Sequence, residues 1–156
     1  YLIENEPLGT AGSLSLLPKE LSEPFLVMNG DVLTRVSPGH LIEFHNEHNS
    51  KATICVRQHT YTVPFGVVNK DGYNLLSIEE KPTFEYLINA GVYILDPSIL
   101  NLISQSKIID MPSLLNLVQE SGGKVSVCPI HEYWIDVGNP ESLKKAYDSW
   151  GLSQLD

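Results

Sequence analysis

The stretch "PFLVMNGDVL", Pro24 to Leu33, sets Asn29, Gly30 and Asp31 in the middle of an apolar run suited to a buried strand. A carboxylate at the end of a buried strand is costly unless a hydrogen bond, a cation or a metal offsets its desolvation. Similar apolar runs alternate with helical patterns along the rest of the chain, the mark of an α/β domain with a mostly parallel sheet.

Downstream, "SPGHLIEFHNEHN" places Ser37 as N-cap and Pro38 in the first turn, with Leu41, Ile42 and Phe44 on one side, and predicts a helix. "KATICVRQ" reads as the next strand. "FGVVN" and "LLSIEEKP", joined by the Asp-Gly turn in "KDGYN", read as an antiparallel hairpin. "LINAGVYILD" is a further strand, and Pro97 opens a short helix after it. "MPSLLNLVQESGG" is a helix closed by Gly122 and Gly123. "KVSVCPI" and "EYWIDVG" are short strands, and "NPESLKKAYDSW" is a helix capped by Asn139.

With 156 residues the chain suits one core. Ten Lys and Arg against nineteen Asp and Glu leave a formal charge of −9, which argues against nucleic acid as a partner. No apolar run reaches the roughly 18 residues of a membrane span and no charged-then-apolar leader is present, so the chain reads as cytoplasmic, with no membrane partner. Cys55 and Cys128 lie too far apart in sequence for a metal knuckle and read as buried, reduced thiols. His40, His45, His48, His59 and His131 lack metal-site spacing and read as surface or structural residues.

Three constellations carry chemistry. "YWIDVGNPESL" repeats the logic of the opening stretch: an apolar run delivers Asp136 to a strand end, where Gly138 lets the chain turn. Two strand-end carboxylates plus substrate phosphates suit octahedral Mg²⁺, although either Asp alone could equally cap its turn. In "EPLGTAGSLSLLPKEL", Gly9 and Gly12 flank Thr10 and Ala11 before a helix-like run, where small residues let a base or phosphate approach the backbone. On pattern alone, a glycine-rich helix entry with no ligand remains the leading alternative. "IEEKP" sets Glu80 and Lys81 at a strand end; consecutive side chains point to opposite faces, so both enter one pocket only if the chain bends, for which Pro82 is suited. A carboxylate for sugar hydroxyls and an ammonium for a phosphate would suit a sugar phosphate, against the alternative of a solvated strand end.

In this order and spacing, "EPLGTAG", "FLVMNGD", "FGVV", "EEKP", "NAGVYIL" and "WIDVGNPESL" resemble the sugar-phosphate nucleotidyltransferase family, most closely its mannose-1-phosphate guanylyltransferase branch, from Glu6 to about Ala146. The resemblance implies a GT-A-like, Rossmann-like fold: a mostly parallel sheet flanked by helices, with a small antiparallel hairpin. It implies a transferase that joins a nucleoside triphosphate, GTP favoured, to a sugar 1-phosphate, mannose 1-phosphate favoured, releasing pyrophosphate with Mg²⁺ as cofactor. Asp31 and Asp136 would hold the Mg²⁺, Gly9 and Thr10 would line the base and ribose pocket, and Glu80 and the catalytic Lys81 would meet the sugar and its phosphate. Gly66, Asn89 and Gly91 would complete the sugar pocket.

The family's first strand and its glycine-rich loop with an Arg, followed by a Lys-Pro segment, are not in this chain. Residues 1–156 are therefore expected to be the C-terminal two-thirds of a nucleotidyltransferase domain, inactive as an isolated fragment, with an unpaired sheet edge that could recruit another copy into a homo-oligomer. Two other readings stand beside this one. A metal-dependent glycosyltransferase commonly uses two carboxylates a residue apart, where "NGDVL" has one. A non-catalytic sugar-nucleotide-binding or regulatory module would keep the pocket without the triphosphate grip.

Overall fold

The structure, a computed structural model, describes residues 2–18, 20–104 and 107–150. A four-residue helical turn, α1 (Gly9–Gly12), runs into a 3-10 turn and precedes β1 (Phe25–Met28) and β2 (Val32–Thr34). Then come α2 (Pro38–Glu47), β3 (Ala52–Thr62), β4 (Gly66–Asp71), β5 (Asn74–Glu80) and β6 (Thr83–Leu95). After a 3-10 helix at Pro97–Leu102 follow α3 (Met111–Glu120), β7 (Val125–Pro129), β8 (Trp134–Asp136) and α4 (Pro140–Ser149).

The central sheet has the order β1-β6-β3-β7. β1, β3 and β7 share one direction and β6 runs against them, so the sheet is mostly parallel in strand direction while β3–β7 is its parallel ladder. β2 pairs with β8, and β4 with β5, each as a separate antiparallel ribbon.

Both faces of the sheet are covered where β6 crosses it. Tyr93 and Leu95 pack with Leu114 and Val118 of α3, while Val92 and Ile94 pack with Leu41 of α2. Burial on both faces explains why "GVYIL" is apolar without alternation. The far half of β6 and the whole β4–β5 hairpin are largely exposed.

Helix ends follow local chemistry. Asp110 accepts from Ser113 N and Asn139 from Ser142 N, capping α3 and α4. Ser37 occupies the N-cap position of α2, but its side chain makes no capping hydrogen bond.

Two expectations need correction. β1 is not a buried strand: it lies on the sheet edge with Leu26 and Met28 38% and 47% exposed, so the run is apolar on both faces while only one face is partly covered. "GTAG" is not the entry to a longer helix but forms a turn of its own, followed by 3-10 geometry; Lys19 of the helix-like run lies outside the described residues. The reading of the two thiols holds, and the parallel ladder sets Cys55 opposite Cys128. Both are buried and free, and burial, reinforced by Cys128, pushes the Cys55 thiol up to about 12.

His45 is 2% exposed and its Nδ1 shares a 2.9 Å hydrogen bond with Thr53 Oγ1. Burial holds its imidazole below the ordinary 6.5; Asp96 opposes that shift and Lys51 adds to it. With the folded value below the unfolded one, the unfolded chain binds more protons, so this contribution to stability is complete above about pH 6.5 and is lost as the pH falls below it. We expect the melting temperature to drop more between about pH 7.5 and about pH 5.5 in the wild type than in His45→Asn. Parallel drops in the two proteins would refute a titrating role for His45.

Candidate active site

The site is organised by an irregularity in β6. Its ladder with β3 pairs Ile54 with Tyr93 and then Val56 with Asn89, so Ala90, Gly91 and Val92 together face the single residue Cys55. This bulge requires Gly91 at φ +67°. A methyl there would lie 2.8 Å from Asn29 Nδ2 and 3.2 Å from Val32 Cγ2. The Asn89 side chain brackets the bulge: Oδ1 accepts from Gly91 N at 2.9 Å and Nδ2 donates to Tyr93 Oη at 2.6 Å.

Two successive bulge carbonyls accept donors from outside the central sheet. Gly91 O takes Asn29 N at 2.9 Å, and Val32 N donates back to Asn29 O at 3.2 Å, which closes the turn carrying Asp31. Ala90 O takes Trp134 Nε1 at 2.7 Å, which fixes the start of β8, the strand that ends in Asp136. The ribbon register then sets Val32 opposite Asp136, and Val137 N donates to Asp31 O at 2.8 Å.

The two carboxylates converge as a result. A methyl at Gly138 would stand 2.9 Å from Asp136 Oδ1 and 3.3 Å from Asp31 Oδ2. Both residues are exposed, so the desolvation cost implied for Asp31 does not arise. Turn capping accounts for part of one of them, since Asp136 Oδ1 accepts from Gly138 N at 2.8 Å. The ion pairs among the described residues are Lys51–Asp96 and Lys145–Glu141, and neither involves Asp31 or Asp136.

Beside this pair lies a cleft of about 480 Å³ whose lining includes Gly9, Thr10, Ser13, Asn29 and Asp31. Gly9, at φ +82°, packs so closely on the chain that a methyl would meet Ile109 O at 2.6 Å. Thr10 Oγ1 accepts from Met111 N at 2.9 Å at the start of α3. The glycine-rich turn is thus moulded against the α3 entry while one side faces the cleft.

Gly66, Glu80 and Lys81 form a second group on the β4–β5 hairpin. Gly66 pairs with Glu80, whose Oε2 would be 3.0 Å from a methyl on Gly66. The bend that the sequence requires occurs at Lys81 itself, at φ +48°, with its N–H donated to Phe65 O at 3.3 Å and Pro82 buried behind it. Among the described residues no hydrogen bond joins this group to the carboxylate pair.

Sequence reasoning overlooked Asn29 and Trp134 as parts of the site. An indole in a short, half-buried strand usually needs an acceptor for its N–H, and that signal could have singled out Trp134.

The family described as Nucleotidyl transferase matches residues 1–150. The mannose-1-phosphate guanyltransferase of Pichia angusta is 36% identical over 153 residues, covering 92% of this chain and 41% of that protein. The probable mannose-1-phosphate guanylyltransferase 2 of Oryza sativa subsp. japonica is 35% identical, covering 88% of this chain and 40% of that protein. The chain therefore spans about two fifths of the length of these relatives. Among solved structures, HddC from Yersinia pseudotuberculosis complexed with GMP-PN superposes with a TM-score of 0.66 at 28% identity, covering 94% of this chain and 64% of that one. A putative glucose-1-phosphate thymidylyltransferase from Bacillus anthracis, at 20% identity and TM-score 0.66 over 93% of this chain and 62% of that one, shares the fold.

Gly91→Ala forces a side chain into left-handed geometry and into Asn29, and we expect it to cost about 2 kcal/mol in urea unfolding. An unchanged unfolding midpoint would mean that the bulge does not need glycine.

Proposed function

The chain belongs to the nucleotidyl transferase family, and from that premise we propose that the protein joins a nucleoside triphosphate to a sugar 1-phosphate with release of pyrophosphate, GTP and mannose 1-phosphate being the favoured pair. The observation that carries this reading is the convergence of Asp31 and Asp136 on Gly138 beside a cleft that also exposes Gly9 and Thr10. The named relatives favour guanine and mannose.

The reaction is attack by a phosphate oxygen of the sugar 1-phosphate on the α-phosphorus of the triphosphate. The new P–O bond forms as the bond to pyrophosphate breaks, and the electron pair leaves with pyrophosphate. The attacking oxygen is already anionic, so no general base is needed.

Asp31 and Asp136 fit a hard divalent cation such as Mg²⁺, because they are exposed carboxylates without ion-pair partners among the described residues and they face one glycine. When bound, such a cation offsets charge on the phosphate oxygens. Gly9 and Thr10 admit the base and ribose to the cleft, and the methyl-free Gly9 lets their turn seat against the Ile109 backbone. Glu80, seated over Gly66, accepts hydrogen bonds from sugar hydroxyls. Lys81 pairs with the sugar phosphate, and its left-handed backbone breaks the strand alternation that would otherwise set its side chain opposite that of Glu80. Asn89 retains one amide hydrogen for a sugar hydroxyl while it holds the bulge, and Gly91 contributes backbone to the same wall.

In the full-length protein, Asp31→Asn and Asp136→Asn are each expected to lower turnover at least about tenfold, or about 1.4 kcal/mol of transition-state stabilisation. Near wild-type rates with Mg²⁺ in either variant would sink the two-carboxylate site. Lys81→Ala is expected to raise KM for the sugar 1-phosphate about tenfold, with the nucleotide KM little changed. Equal losses for both substrates would place Lys81 elsewhere.

A further inference from the structure

We infer that Trp134 is the positioning residue of the carboxylate pair: by donating its indole N–H to Ala90 O, it ties the strand that ends in Asp136 to the same β6 bulge that holds the turn carrying Asp31. The inference rests on the reading of Asp31 and Asp136 as a cation site, and it concerns how that pair is held.

Asp31 and Asp136 sit near opposite ends of the chain, and β2–β8, which joins their segments, is only three register pairs long. A two-stranded ribbon of that length is marginal on its own in water. Something outside it must fix where it lies, and the bulge supplies two adjacent acceptors for the purpose. Gly91 O takes the backbone of the Asp31 turn through Asn29 N, and Ala90 O takes the β8 side chain two residues before Asp136. Besides the direct bond from Val137 N to Asp31 O, both segments are thereby referred to two consecutive peptide units in the buried half of β6. Ala90 is fully buried, so loss of its indole donor would be costly and β8 would be freed to shift.

A purely structural indole would affect stability alone. A positioning indole must also affect cation affinity in protein that is still folded.

The test uses the full-length protein with Mn²⁺ as probe, following free Mn²⁺ by electron paramagnetic resonance well below the melting temperature. Trp134→Phe removes the N–H, and replacement of Trp134 by benzothienylalanine removes it while keeping the bicyclic shape. Both are expected to weaken Mn²⁺ binding about tenfold with an unchanged circular dichroism spectrum, the size of effect usual for a residue that orients metal ligands. Asp136→Asn serves as the control that abolishes binding. Wild-type affinity in the benzothienylalanine protein, with binding still lost in Asp136→Asn, overturns the role of Trp134 alone. No Mn²⁺ binding by the wild type, or undiminished binding by Asp136→Asn, overturns the cation site and this inference with it. If Trp134→Phe unfolds, the isosteric replacement decides.

Discussion

The left-handed conformation of Gly91 is the constraint on which the site hangs. It lets β6 carry three residues past Cys55 and turns two carbonyls toward segments outside the sheet. Bulges re-aim backbone at the cost of ladder regularity. Here the irregular segment lies in the most deeply buried part of the molecule, flanked by Val92 and Ile94 on one side and Tyr93 and Leu95 on the other. Packing on both faces prevents it from relaxing back into register, since a slip would send each of these side chains to the wrong layer.

From this anchor the molecule grades from rigid to exposed. β6 begins in the solvent-exposed ribbon beside the hairpin and ends in the core, so one strand passes from the Lys81 bend through Asn89 to the bulge. The Lys81 bend therefore leads into the strand whose bulge holds the carboxylate pair by hydrogen bonds, while among the described residues no hydrogen bond joins the hairpin group to the pair itself.

The elements of the fold were legible because local chemistry agrees with tertiary structure at most positions. Asp-Gly between alternating apolar runs makes the β4–β5 hairpin, and Asn139 followed by Pro140 starts α4. The site was partly legible: "NGD" and "WID" identify the two acids because a carboxylate ending an apolar run is unusual, and family resemblance supplied the roles. What stayed hidden depends on pairings across the sheet. Nothing local reveals that Cys55 faces Cys128, since the parallel ladder joins strands separated by a hairpin, a long strand and a helix. Nothing local reveals that the Glu80–Lys81 bend falls on Lys81 rather than on Pro82, because a non-glycine residue adopts positive φ only when its surroundings compensate for the strain. The apolar character of β1 misled for a related reason, since an edge strand's composition does not say how much of it its neighbours cover.

The chain carries a formal −9, and the two acids of the site stand exposed with no ion-pair partner among the described residues. Two carboxylates aimed at one point repel a phosphate approaching that point, and exposure to water reduces that repulsion without reversing it. Lys81 offers one positive charge, and it stands on the hairpin group rather than beside the pair. A phosphate that settles against Asp31 and Asp136 must therefore bring a cation with it or find one in place. On the proposed reading, nucleotide and cation binding would be coupled: each would lower the electrostatic cost of the other, and linkage would make the effect reciprocal. On that reading, a bulge that holds the two acids at a fixed spacing would govern both affinities at once.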